Sequence, residues 1–348
     1  MNSAIINSRS AAFSTHASRP KLFTAKRFVD TKNLSQAEWL EIRRQGIGSS
    51  DCAAACGLNP YMSMLELWMI KTGRIQQIID DESQEGHAPL YWGKQLEPLV
   101  AEYYSMHTGH KVRRVNAVLQ HRDPDKHFML ANLDYSVVGH ADVQLLECKT
   151  AGEYGAKLWR DGVPLYVLCQ VQHQLAVTGK QAAHICVLIC GHETRIFKVT
   201  RSESVIQHIV NAERYFWDCV EKDTPPDADA SESAAKALQL LYPEHVPFST
   251  KDLSEDEQAN QQFEQLIQAR NQAEKHQQQF DLLKHQLQGQ MQEAERATFK
   301  TGSVTWKKSK DSISLDTKAL LKSHPEYLSQ YPQSKQGTRR FNIYCNDD

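Results

Sequence analysis

The chain has 348 residues, 41% of them apolar, and 40 Lys and Arg stand against 42 Asp and Glu for a net charge of -2. That length suits about two domains of roughly 150 residues, and the apolar share excludes wholesale disorder. The near-neutral total excludes a histone-like polycation, no apolar run nears the roughly 20 residues that span a bilayer, and eight scattered cysteines make no disulfide scaffold.

The expectation is a soluble, cytoplasmic protein with no membrane partner. Charge is unevenly spread along it. Residues 19–44 carry seven bases and three acids, 221–264 carry eleven acids and three bases, and 300–340 carry nine bases and three acids. A balanced total therefore leaves two basic stretches able to follow a phosphate backbone.

In chain order, residues 1–28 contain no acid and are rich in Ser, Ala and Arg, which predicts a disordered leader over 1–29. Ser35 with Glu38 three residues on is a capping box that starts a helix. Gly46-Ile-Gly48-Ser49-Ser50-Asp51 is a tight polar turn, followed by a short helix over 52–56 and another over 62–71. A helix over 97–108 has Pro98 in its first turn and Gly109 at its end. Short Val- and Leu-rich segments at 111–120, 129–138 and 141–150 read as strands. A helix spans 165–178, a hairpin joins 184–190 to 195–200 around Gly191-His192, and an amphipathic helix over 202–222 ends before Pro225-Pro226.

These elements predict one mixed α/β core over 30–225. The remainder, 226–348, changes composition. Residues 251–300 hold thirteen Gln and no Pro, with Phe263, Leu266, Ile267, Phe280, Leu283 and Leu287 at helical spacing. One long helix or a helical hairpin is expected there, serving packing or oligomerisation. A small basic tail unit with strands at 303–306 and 341–344 follows.

The chemistry-bearing signal is Asn132-Leu133-Asp134 followed by Leu146-Glu147-Cys148-Lys149-Thr150. On a strand, Glu147 and Lys149 project from one face while Cys148 points to the other. With Asp134 on a neighbouring strand they form an oxygen-rich site suited to Mg²⁺, and the lysine stands ready to orient or deprotonate a water. Such a set fits in-line attack on a phosphodiester.

Trp39 to Asp51, Trp92-Gly93-Lys94-Gln95-Leu96-Glu97, Asn132-Leu133-Asp134, Leu146-Glu147-Cys148-Lys149 and Gln170-Val171-Gln172 occur in that order. The series resembles the lambda-type exonuclease and YqaJ viral recombinase family of PD-(D/E)XK nucleases, over about residues 35–220. The resemblance implies a restriction-endonuclease-like core, a mixed central sheet flanked by helices, with a C-terminal helical extension. It implies Asp134, Glu147, Glu97 and the Cys148 carbonyl as metal ligands, Lys149 as the catalytic lysine, and Gln170 or Gln172 as supports of the site. Arg43 and Ser50 are implied to hold a 5′-terminal phosphate, for which a guanidinium fork and a turn entering a helix are chemically suited.

The implied activity is an exodeoxyribonuclease that digests duplex DNA ends 5′ to 3′ and leaves 3′ single-stranded tails. It implies two Mg²⁺ ions, with Mn²⁺ able to substitute. The implied partners are a single-strand annealing protein and further copies of the chain in a trimeric ring. The alternatives are a related phage-type endonuclease and a nuclease-inactive DNA-binding recombination accessory. Departures from the family pattern are Tyr135 after the first Asp, Thr150 after the Lys, and thirteen positions between Asp134 and Glu147. Asp142 is the competing first ligand, and the Asn132-Leu133 context favours Asp134.

Gly46-x-Gly48 lacks the Gly-Lys-Ser/Thr of a P-loop. Cys52-x3-Cys56 and Cys186-x3-Cys190 read as core cysteines. His121, His127 and His140 read as surface or turn histidines, and Trp39, Trp92 and Trp159 as packing residues.

Overall fold

A computed structural model describes residues 25–76, 88–334 and 337–345. The chain divides into two compact units, the first running through Pro243 and the second starting at Glu244. Most of the predicted leader, 1–24, lies outside the described residues. Its last part is ordered: Lys26–Asp30 is a strand, β1.

Helix α1, Gln36–Arg44, begins as its sequence dictates. The Ser35 hydroxyl accepts the Glu38 N–H, and the Glu38 carboxylate accepts the Ser35 N–H at 2.8 Å. Gly46 then passes close under the chain at Phe128. A Cβ there would lie 2.6 Å from the Phe128 carbonyl oxygen, so only glycine fits. Helix α2 is Cys52–Ala55, and α3 is Met64–Lys71, capped by Ser63. Helix α4 spans Ala88–Thr108, starting nine residues before the predicted 97. Pro98 is interior rather than in the first turn; the residues before it, Lys94-Gln95-Leu96-Glu97, are good helix formers that carry the helix across it.

The strands expected over 111–120 and 129–138 each divide in two. Strands β2, Val112–Arg114, and β3, Ala117–Gln120, belong to different sheets, as do β4, Leu130–Asn132, and β5, Tyr135–Val137. Each ribbon bends between its halves, where the Val115 N–H donates to the Asp134 carbonyl at 3.1 Å. Strands β1, β3 and β4 form a small antiparallel sheet. The main sheet adds β6, Leu145–Ala151, β7, Ala182–Ile189, and β8, Glu193–Thr200, in the order β2-β5-β6-β7-β8. Only the β6–β7 pair in it is parallel, with Glu147 opposite Ile185 and Lys149 opposite Val187.

After the short α5, Glu153–Ala156, the crossover between these parallel strands is α6, Leu165–Thr178, entered from Pro164 and ended by Gly179 at φ +69°. Helix α6 buries Val167, Val171 and Leu175 with Ile185 and Val187 in the larger core. Val100, Ala101 and Tyr104 of α4 pack with Leu146, Cys148 and Cys186 in a second one. The two-residue period of β6 thus sends Leu145, Glu147 and Lys149 toward α6 and Leu146 and Cys148 toward α4. This is the mixed α/β architecture expected from the sequence, a mixed central sheet flanked by helices.

Helix α7, Glu203–Glu221, follows its Ser202 cap. The unit does not stop at 225. Helix α8, Glu232–Leu241, buries Ala234 and Ala237, and its Ser233 hydroxyl accepts the Ser63 N–H at 2.7 Å. In the second unit, α9 is a single 35-residue helix, Glu257–Met291, rather than a hairpin. Strands β9, Arg296–Phe299, and β10, Gly302–Thr305, pair antiparallel, and helices α10, Thr317–Ser323, and α11, Glu326–Gln330, follow. The segment 341–344 forms no strand.

Candidate active site

Strand β6 and its neighbours bring the predicted acids and lysine together. Tyr135 of β5 pairs with Leu146 of β6, which sets Asp134 beside Glu147. The Asp134 carboxylate accepts the Cys148 N–H at 2.8 Å. Lys149 Nζ donates to Glu147 Oε1 at 2.7 Å and to Gln170 Oε1 at 2.8 Å. Gln170 Nε2 returns a bond to Glu147 Oε1 at 2.5 Å, and Gln174 Nε2 donates to Glu147 Oε2 at 2.7 Å. Gln170 and Gln174 stand one turn apart on α6, so one helix face clamps both oxygens of the carboxylate.

Glu97 approaches from α4, with Arg114 of β2 3.1 Å from its carboxylate. Gly93, one turn earlier, lies over β6, where a Cβ would stand at ordinary contact distance, 3.6 Å, from Thr150 Oγ1. Burial, and then the neighbouring Glu147 charge, push the Asp134 carboxyl upward. Burial raises Glu97 too; Arg114 opposes the shift and Glu147 adds to it. Burial lowers Lys149, but the Glu147 and Asp134 charges outweigh it and hold the ammonium above its ordinary value. Three carboxylates crowding a largely buried site are a donor set that a divalent cation neutralises, all through oxygen as Mg²⁺ requires. Asp134, Glu147, Glu97 and the Cys148 carbonyl fit that role, and Glu147 Oε2, with one bond taken, keeps a lone pair for it.

Arg43 and Ser50 also meet, Arg43 Nη2 lying 3.2 Å from Ser50 Oγ. Behind them is an ion cluster that the sequence reading did not assign. Asp51 Oδ1 takes Arg43 at 2.5 Å, and Asp51 Oδ2 takes Lys71 Nζ at 2.7 Å and the Gly48 N–H at 3.2 Å. Burial raises the Asp51 carboxyl, but Arg43, Lys71 and the Gly48 N–H more than reverse it, leaving the group far below the ordinary carboxylate range. The Ser49 hydroxyl next door is buried without a protein partner.

Other predicted residues fall elsewhere. Gln172 points away from the acids, because two positions along a helix is about half a turn. Its Nε2 donates to the Thr200 carbonyl at 2.7 Å and its Oε1 accepts the Ser202 N–H at 3.0 Å, clasping β8 to the start of α7. Gln174 takes the place assigned to it, and the spacing of four from Gln170 was the available signal. Asp142 lies exposed in the β5–β6 connection, away from this cluster of bonds. Trp92 is exposed rather than packed, whereas Trp159 is buried against Phe197. Cys186 is a core residue, but Cys190 is exposed in the hairpin turn at φ +50°. His127 and His140 are exposed; His121 is buried, its Nδ1 accepting the Asp123 N–H. Among the described residues no helix is long and apolar enough to cross a membrane.

Comparison with known proteins adds independent findings. The family model described as the YqaJ-like viral recombinase domain matches residues 38–181. A Bacillus subtilis (strain 168) protein, described as uncharacterized protein YqaJ, is 35% identical over 330 residues, covering 92% of this chain and 98% of its own length. Among solved structures, an alkaline exonuclease from Laribacter hongkongensis aligns with 21% identity and a TM-score of 0.44, over 54% of this chain and 94% of that one. A phage related exonuclease from Haemophilus somnus 129PT aligns with 11% identity and a TM-score of 0.36, over 53% and 99%.

Proposed function

Because this chain belongs to the YqaJ-like viral recombinase family, and because it gathers Asp134, Glu147 and Lys149 at one site, we propose that it is a metal-dependent deoxyribonuclease. In this reading it is a 5′-to-3′ exonuclease that resects duplex DNA ends and leaves 3′ tails for recombination by strand annealing. The observation that carries the proposal is the bond network around Glu147, in which Lys149, Gln170 and Gln174 fix a carboxylate beside a second one.

Asp134 and Glu147 would hold Mg²⁺ with the Cys148 carbonyl, and Glu97 from the opposite side of the strand. Ions held there would supply Lewis-acid stabilisation to the reacting phosphodiester. Lys149 donates from its ammonium toward the attacked phosphate, a pre-positioned positive charge where negative charge develops. Gln170 holds the lysine and Glu147 in register, and Gln174 fixes the second Glu147 oxygen. Arg43 and Ser50 receive the 5′-terminal phosphate, and Asp51 with Lys71 orients the guanidinium from behind. The resemblance noted in the sequence also supports a single-strand annealing partner and a ring of several copies.

The test is digestion of linear duplex carrying 5′-phosphate or 5′-hydroxyl ends, each labelled at one end, with Mg²⁺, with Mn²⁺ and with EDTA. The expected result is metal-dependent loss of the 5′ label with preference for the phosphorylated end, and loss of that preference in Arg43→Ala. Release of the 3′ label first, or cutting of closed circles at an equal rate, contradicts the exonuclease reading.

A further inference from the structure

A second constellation, separate from the acids above, has no part in that chemistry. Cys52 of α2, His173 of α6 and Glu213 of α7 are each fully buried, and a ligand atom of each lies within 4.8 Å of the others. The sequence supplies cysteine and histidine here in two pairs one helical turn apart, Cys52 with Cys56 and Cys169 with His173. The Cys52 thiol donates to the Cys169 carbonyl at 3.5 Å.

The histidine geometry narrows what the cluster holds. His173 Nε2 lies 2.8 Å from the Leu130 carbonyl, which can only accept, so Nε2 carries a proton. In the neutral ring Nδ1 then presents a lone pair, and it faces Glu213 Oε1 at 2.6 Å. Two acceptors at that separation share a proton, and a metal ion that displaces it needs them farther apart. Glu213 Oε2 is buried without a partner, a costly arrangement for an isolated carboxylate. A backbone carbonyl fixing one imidazole nitrogen while the other is free to ligate is the usual support of a metal-bound histidine. Thiolate and imidazole together select zinc over magnesium.

We propose that Cys52, His173 and Glu213 form a structural site for zinc. Bonds of about 2.0 Å to nitrogen or oxygen and 2.3 Å to sulfur set zinc ligands about 3.5 Å apart, so the His173 Nδ1–Glu213 Oε1 pair opens from 2.6 Å on binding. The ion ties α2, next to the Arg43–Ser50 turn, to α6, which carries Gln170 and Gln174, and to α7.

The experiment is metal analysis of the untagged, full-length protein, purified from zinc-supplemented medium without chelator and gel-filtered into metal-free buffer. About one zinc per chain is expected in wild type and in Asp134→Ala, and none in Cys52→Ser. Cobalt-exchanged wild type is expected to show thiolate-to-cobalt charge-transfer absorption, which an oxygen-ligated ion at the acids cannot produce. Folded wild type that holds no zinc, even after refolding with excess zinc chloride, contains a proton at the site and overturns the proposal. Zinc that disappears in Asp134→Ala also overturns it. If Cys52→Ser fails to fold, the wild-type zinc content and the cobalt spectrum still decide.

Discussion

Asp51→Asn probes the ion cluster that anchors the Arg43 turn. In the wild type one carboxylate serves three donors, Arg43, Lys71 and the Gly48 N–H. Asparagine offers one carbonyl oxygen to those donors and turns an NH₂ toward another. Lys71 is the costly remainder, because its side chain is only 2% exposed and burial, which already holds its ammonium below the ordinary value, is left without a counter-ion to oppose it. Removing one partner of a buried pair costs about 3–5 kcal/mol. Arg43 is 19% exposed and can turn toward water, so the loss is expected near the lower bound, about 3 kcal/mol. Asp51→Asn with Lys71→Met removes both charges and is expected to recover most of that loss. Urea unfolding of the three proteins at pH 7 measures it. The pH dependence has a definite sign. Burial raises the Asp51 carboxyl, but Arg43 and Lys71 depress it further, so its folded pKa lies below the unfolded one. Its contribution is full above an unfolded pKa of about 3.9 and fades as pH falls toward the folded value. The gap between wild type and Asp51→Asn is therefore constant from about pH 7 to 5 and narrows below about 4. A gap under about 1 kcal/mol at pH 7, or one that does not shrink in acid, refutes the reasoning.

Three further outcomes follow from side-chain placement. Gln174→Leu releases one oxygen of Glu147 and is expected to slow duplex digestion about 10–100-fold, measured as initial rates. Gln172→Leu breaks the clasp between Thr200 and Ser202 instead, so it is expected to lower the unfolding free energy, measured in urea, by about 1–2 kcal/mol while the rate per folded molecule is unchanged. Equal rate losses in the two variants would contradict the division between them. Gly46→Ala drives a methyl to 2.6 Å from the Phe128 carbonyl and is expected to cost about 1–3 kcal/mol in the same unfolding assay.

What the sequence made legible was local or periodic. The Ser35–Glu38 box fixed the start of α1, and the helix expected over 165–178 with Gly179 at its end matches α6 to the residue. Alternation placed Glu147 and Lys149 on one face and Cys148 on the other. The divided strands were not legible, because the bends at Val115 and Asp134 answer to pairing partners in two sheets rather than to turn residues. Pro98 suggested a helix start, but the good helix formers before it, Lys94-Gln95-Leu96-Glu97, carry α4 across it. Lys71 sits in an apolar helix with nothing local to mark it; its partner is twenty positions away. Gln172 was taken for its motif, while helical periodicity already separated it from Gln170 and Gln174. Cys52, His173 and Glu213 come together only through the packing of three helices.

The proposed nuclease centre is tested most directly by Lys149→Ala, with Mg²⁺-dependent digestion of linear duplex measured beside duplex binding in Ca²⁺. Loss of the ammonium that bridges Glu147 and Gln170 is expected to slow cleavage by about 100-fold or more while binding stays near wild type. Cleavage by Lys149→Ala at the wild-type rate would show that the chemistry resides elsewhere in the protein.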